Sequence, residues 1–374
     1  MSNVATTYDF QQQVRQMDAN VDLILAKAPV LFGLIGTGEA LMQTKFEWQN
    51  DYLNSDTGEA AAAVAADATT FAVKEGDGRK FTVNALVQNG LEVLKVTAVD
   101  GDQLTVQRGY DATEPEAIEA DGELKVIARP RPEGEEAFRH NEINDRIVSF
   151  NYSQIFSRFA KVSRTQQQVN TYGVSNELDY QVNLRLQEMI REVNNTLIFG
   201  RKYQGAGDTN PRTTGGLFAF AQEQGSAKFD MGGNEISAKG LNDAVEETFK
   251  RGGRVNTIVC APNVARQITK LGGDTIRTTR GETTAGYQIL SFVSDLPGGT
   301  VSSVVVDQNM PKDRALLLDT NNVKARYMQN FYDQDATNPG ADYFARVIRG
   351  ELGFEIKNAK ESIAVLSNIS KTIS

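Results

Sequence analysis

Cysteine, histidine and tryptophan each occur once in 374 residues, and proline only nine times. A single cysteine, Cys260, excludes an intrachain disulfide, so nothing in the chain demands an oxidising compartment. One cysteine and one histidine, His140, exclude a Cys/His zinc site, which draws about four ligands from one chain. No apolar run approaches the ~20 residues that span a bilayer. The longest near the start, residues 28–35, is broken by Pro29 and Gly33. Residues 1–10 are polar and lack the basic and apolar regions of a secretory leader, so a soluble, intracellular protein is expected. Positive charge is also short. Lys and Arg total 39 against 48 Asp and Glu, a net charge of −9. That balance argues against a nucleic-acid-binding chain, which needs cations to displace counterions from phosphates.

Catalytic signatures are missing too. No Gly-x-Ser-x-Gly elbow and no phosphate-binding Walker sequence occurs. Gly33, Gly36 and Gly38 imitate a dinucleotide loop, but the spacing is wrong and no strand leads into it. Asp333, Asp335 and Asn338 imitate a calcium loop. Asn338 replaces the turn glycine and Phe344 the bidentate glutamate, so the segment is read as a solvated loop. His140 sits among glutamates without a nucleophile partner and is read as a surface residue. Cys260 is flanked by β-branched residues, the setting of a small buried hydrophobe.

What is present is an ordered series of elements. Val14, Met17, Val21, Ile24 and Leu25 have helical spacing. Residues 28–48 carry Pro29 and three glycines and are expected to be an extended arm. Residues 45–53 alternate as a strand, with Phe46 and Trp48 on one face and Lys45, Glu47 and Gln49 on the other. Residues 54–68 are expected to be a linker. From 69 to 128, short strands with turn punctuation describe a small all-β module, and Asp100-Gly101 predicts a type I′ hairpin. Residues 144–162 are again extended, so two extended segments flank the module. Ser175 is the expected N-cap of the strongest helix, whose stripe is Leu178, Val182, Leu186, Ile190, Val193 and Leu197, closed by Gly200. An α/β section follows. Ser237 and Pro262 open helices, and strands are expected at 255–260, Tyr287–Val293, Val301–Val306 and Ala315–Leu318. The end of the chain alternates over Tyr343–Ile356 and again over 363–369. The fold class predicted from this series is α+β. There is no internal repeat.

Several segments, in order, carry a resemblance. Lys45-Phe46-Glu47-Trp48 through Leu53 is similar to the outgoing strand of an extended loop. Tyr152 through Phe156, with Val162, Thr165 and Gln166, is similar to its return strand. Gly173 through Gln181 and on to Phe199, Gly200 and Arg201 resembles a spine helix, and Pro211-Arg212 through Leu217 the loop after it. Arg108-Gly109-Tyr110 through Gly122 resembles a hairpin of an inserted module. The family is that of the major capsid proteins of tailed bacteriophages, in particular a subgroup with a β insertion.

The resemblance implies an N-terminal arm at 1–42 and an extended loop at 43–165, with the β module at about 66–132. It implies a peripheral domain at 166–235 plus 340–374, with its spine helix at about 175–200, and an axial domain at 236–339. It implies a shell of hexamers and pentamers enclosing a phage genome. Separate scaffold, portal and decoration proteins are the expected partners, DNA is enclosed without sequence reading, and no membrane, cofactor, metal or catalytic residue is expected. A large fused scaffolding domain is not expected in the 44 residues before the first strand. Location in the virion after assembly in the host cytoplasm is implied. The expected inter-subunit contacts are Phe46, Trp48, Arg201 and Arg212. Trp48 is placed on a strand outside the core, so that Trp48→Ala would spare the monomer and impair the shell. The alternatives are a non-capsid phage structural protein, or an α/β enzyme or binding domain in 237–320.

Overall fold

The computed structural model describes residues 29–50, 55–134, 146–169, 174, 176–206, 209–271, 276–284, 287–294 and 301–372. The expected helix around residues 14–25 and His140 lie outside them. The chain divides into two compact units, residues 1–48 with 148–374, and residues 49–147.

The first unit is organised by one helix, Glu177–Phe199, 23 residues long. Its cap is Asn176, one residue beyond the expected Ser175. The Asn176 side chain accepts from the Asp179 amide at 3.2 Å, and Glu177 and Asp179 lie at the positive end of the helix dipole. The buried stripe runs through Met189, Val193, Leu197 and Ile198, so Met189 takes the core place expected of Ile190. At the far end Gly200 and Gly216 let two backbones touch. A Cβ at Gly200 would meet the Thr196 and Thr214 carbonyl oxygens at 2.5 Å each.

A seven-stranded sheet packs on this helix. Its order is Ala227–Asp230, Ile363–Ser367, Ala315–Leu318, Thr257–Cys260, Val301–Val306, Tyr287–Val293 and Ile276–Thr284. The central strands Thr257–Cys260 and Ala315–Leu318 are buried at every residue, because both faces are covered. Val259, Leu316, Leu318 and Val365 join the core of the spine helix. The alternating partners Ile258, Leu317, Ala364 and Leu366 join Leu241, Val245, Val264 and Ile268 of the helices Ala238–Lys250 and Pro262–Lys270. Ser237 caps the first of these through the Gly240 amide, and Pro262 opens the second, both as predicted.

A four-stranded sheet runs in the order Gly36–Thr37, Val323–Asp335, Tyr343–Ile356 and Gln154–Ser163. Its 13-residue strand Val323–Asp335 is not among the strands expected from the sequence. Asp333 and Asp335 therefore belong to a strand, paired with Ile348 and Arg346, which corrects the solvated-loop reading of their segment. The imitation dinucleotide glycines are also accounted for. A short helix, Val30–Leu34, precedes them, and Gly36–Thr37 pairs in parallel with Val323–Asp335. The sheet memberships differ from the expected boundaries. Ala227–Asp230 and Ile363–Ser367 join the α/β sheet, and Val323–Asp335 leaves it.

The second unit holds a six-stranded sheet in the order Thr57–Glu59, Glu123–Ala128, Leu86–Asn89, Glu92–Asp100, Gln103–Gln107 and Thr70–Ala72. Part of the expected linker belongs to it. Thr57–Glu59 is a strand, and Ala60 and Val64 bridge to Val73 and Ile118. Phe71, Phe81, Leu94, Leu104, Ile118 and Leu124 form its core. The predicted hairpin exists, but its loop residues are Gly101 and Asp102. Only Gly101 has positive φ, the requirement of a II′ turn instead of I′. Arg108 through Gly122 is no hairpin. It folds as a loop, tied by a buried ion pair to Glu92.

Candidate assembly surface

The expected contact residues lie where the extended strands meet the spine helix and the loop that follows it. Lys45–Asn50 pairs with Ile147–Tyr152 as a separate two-stranded sheet. Its predicted alternation is observed, with Lys45, Glu47 and Gln49 exposed and Phe46 and Trp48 buried. Both rings belong to the chain's own core. Trp48 lies 5.9 Å from Phe46 and 5.7 Å from Phe220, centroid to centroid. Phe46 sits over Gly353, where a Cβ would come within 2.5 Å of the ring. This corrects the placement of Trp48 outside the core. Packing within the chain accounts for both aromatics.

Arg212 is engaged within the chain as well. Its Nη2 donates to Glu351 Oε1 at 2.6 Å and its Nε to the Ser153 carbonyl at 3.0 Å. Ser153 Oγ donates to the same carboxylate at 2.5 Å. Two residues earlier, the fully buried Asn151 donates through Nδ2 to the carbonyls of Gly215 and Phe354, and its Oδ1 accepts from the Gly215 amide at 2.7 Å. Charge-assisted and bidentate bonds of this kind fix geometry as well as supply energy. They pin the loop after the spine helix to the junction of the strands Ile147–Tyr152 and Gln154–Ser163.

Arg201 differs. It is exposed, and its Nη1 donates to Gln222 Oε1 at 3.1 Å. It has no carboxylate partner among the described residues. Its neighbour Lys202 pairs with Glu223 at 2.5 Å and lies 4.0 Å from the Phe150 ring centroid.

Among the described residues the strand Gln154–Ser163 is an edge, bonded on one side to Tyr343–Ile356. Phe156, Ala160 and Val162 are buried, whereas Ile155 and Phe159 are 58% and 50% exposed. Beside it an open groove of roughly 510 Å³ is lined by Ser157, Phe159, Lys161, Gln181, Arg185 and Glu188. Arg158, which also lines it, pairs with Glu192 of the spine helix at 2.6 Å. An unpaired edge with exposed apolar side chains is a template for association.

Two buried polar clusters went unnoticed in the sequence. Asn194, within the spine helix, accepts from the Phe32 amide at 2.9 Å and donates to the buried carboxylate of Asp307 at 2.8 Å. Together they seat the helix Val30–Leu34. An asparagine beside Val193 in an apolar stripe was the available signal. In the second unit, Arg108 makes a fork of 2.8 and 2.7 Å bonds to fully buried Glu92. Burial pushes the Glu92 carboxyl up. The Arg108 guanidinium and the amides of Glu116 and Gly109 outweigh it and hold the group below its ordinary value.

Cys260 is buried, as expected, and burial alone pushes its thiol up to about 12, which leaves it protonated and inert. Among the described residues, no group of three or more His, Cys, Asp or Glu side chains is placed to hold a metal, and no helix is long and apolar enough to cross a membrane.

No curated protein matches the chain. A family model described as the SU10 major capsid protein matches residues 3–370. Among solved structures, the capsid of a native GTA particle computed with C5 symmetry is similar at a TM-score of 0.50 and 11% identity, over 97% of each chain. A structure from Mycobacterium phage Bobi is similar at 0.50 and 10%, over 97% of this chain and 98% of that one. One from Mycobacterium phage Adephagia is similar at 0.50 and 10%, over 98% of each. At such identities the likeness is one of fold.

Proposed function

The chain belongs to the SU10 major capsid protein family, and from that premise we propose that copies of it close into the head of a tailed phage as hexamers and pentamers. The observation that carries the reading is the family match over residues 3–370. A fold shared with capsid structures along nearly the whole chain supports it. The role is mechanical, and no residue is assigned to catalysis. One sequence must make nearly equivalent contacts at several angles, so loops and edges carry the adaptation while the core stays constant.

In this reading the edge strand Gln154–Ser163, with Ile155 and Phe159, is an assembly surface. Arg201 reaches a neighbouring copy. Phe46, Trp48 and Arg212 act from within, by fixing the strands and the loop that present those surfaces. A separate scaffold, a portal and decoration proteins are the partners, and assembly takes place in the host cytoplasm. The genome is enclosed without being read, in keeping with a net charge of −9. Sedimentation of the purified full chain, alone and with a scaffold candidate, tests this. Capsomers and particles of megadalton mass are expected. A uniform small oligomer under both conditions would contradict the proposal.

A further inference from the structure

The end of the spine helix carries a partly exposed aromatic and cationic surface, whose Phe218 also packs against the core. Phe199, its last residue, is 44% exposed. It stacks on Phe218 of the helix Leu217–Glu223, with centroids 5.7 Å apart and planes 17° apart. The guanidinium of Arg314 lies 5.8 Å from the Phe218 ring centroid. Gln222, one turn after Phe218 on the same helix face, orients Arg201 through its 3.1 Å bond. Both arginines are exposed, and neither has a carboxylate partner among the described residues. Neighbouring cations contrast with them, since Lys202 pairs with Glu223 and Arg212 with Glu351. Aromatic rings together with arginine are the composition of interface hot spots.

The counterpart is indicated by the distribution of charge. The unit 49–147 contains 10 Lys and Arg against 20 Asp and Glu, a net of −10. The rest of the chain has 29 against 28, a net of +1. The whole negative surplus therefore resides in that one unit. Complementary potentials of this kind steer association and fix register.

Resting on the capsid reading above, we propose that the surface of Phe199, Phe218, Arg201 and Arg314 seats the carboxylate-rich 49–147 unit of a neighbouring copy. The stacked rings supply apolar contact, and the two guanidiniums supply forks for carboxylates.

Two experiments test it in the full chain. In the first, Arg201→Glu/Arg314→Glu is compared with wild type by thermal melting and by particle yield. The expected result is an unchanged melt with a yield at least tenfold lower. Normal yield from the variant beside normal wild-type shells would overturn this proposal and leave the capsid reading standing, whereas absence of wild-type shells would overturn the reading. Normal shells that retain less DNA would overturn the proposal in favour of contact with the genome. In the second, Arg201→Lys/Arg314→Lys keeps the charge and supplies primary amines. Assembled particles from mixed ¹⁴N and ¹⁵N chains are coupled with a carbodiimide, which joins an amine to a touching carboxylate. Cross-links from position 201 or 314 to carboxylates within 49–147 of a differently labelled copy are expected. Links only within one copy, links only to carboxylates outside 49–147, or no links would overturn the proposal.

Discussion

Trp48 shows how a single side chain changes meaning once its neighbours are known. Its strand alternation was legible in the sequence, because a period of two needs only the residues themselves. Which face was covered was not legible, because the covering ring, Phe220, lies 172 positions away. Trp48→Ala is therefore expected to destabilise the folded chain by about 3–5 kcal/mol through the cavity it leaves. A clear drop in melting temperature is the check, and an unchanged melt would return Trp48 to the surface.

Glu92 and Arg108 make a second case at this scale. Neither belongs to a recognisable motif, and their pairing depends on a loop that carries Arg108 back to the start of the strand Glu92–Asp100. Removing one partner of a buried pair strands the other charge, so Arg108→Ala should cost about 3–5 kcal/mol. It should open residues 55–134 to proteolysis before the rest of the chain. The acid dependence follows from the lowered Glu92 carboxyl. Its stabilising contribution is fully present above the ordinary carboxyl value and disappears as pH falls through the lowered native one. Glu92→Gln should reduce stability at neutral pH and flatten the loss of stability as pH falls from the ordinary carboxyl value through the lowered native one. Equal slopes for variant and wild type would contradict this.

At the scale of elements, local chemistry was readable wherever a residue's own backbone decides the outcome. Ser237 and Pro262 open their helices as predicted. The spine helix was placed to within two residues, and its true cap is Asn176. Asn176→Ala should cost about 1 kcal/mol, measured as a small fall in stability without loss of helix content. A null effect would return the cap to Ser175. The missed strand Val323–Asp335 has a different origin. Its sequence is polar through Asp333, Gln334 and Asp335, and it becomes a strand because ten residues of Tyr343–Ile356 pair with it. Long-range pairing overrides local preference there. Gly353, read only as part of an alternating run, is the seat of Phe46. Gly353→Ala should displace that ring and lower the melting temperature more than Gly340→Ala, where space is open and the strain is of backbone alone.

At the scale of the whole molecule, the order of parts carried further than any one of them. Two extended segments around a β module, a long helix and an α/β section were each legible separately, whereas Val30–Leu34 of the expected extended arm is a helix. Their succession resembled a capsid protein, and the family match agrees. The contact surface was harder to read. Four residues were expected to meet neighbours, and the structure leaves only Arg201 exposed for that task. Phe46 and Trp48 turn into the core, because aromatic rings suit cores and interfaces alike, and Arg212 turns to the carboxylate of Glu351 within its own chain. The exposed edge of Gln154–Ser163 had no signature in the sequence, since an edge is defined by the strand that is missing beside it. The β module was legible as a folded unit, although its first strand lay in a stretch too rich in alanine to stand out.

The central claim is that this chain closes on copies of itself to build a shell. Negative-stain electron microscopy of the full chain, expressed alone and with a scaffold candidate, tests it most directly. Closed shells, tubes or sheets with a hexameric lattice are expected in at least one of the two preparations. A uniform population of small particles with no lattice in either would contradict it.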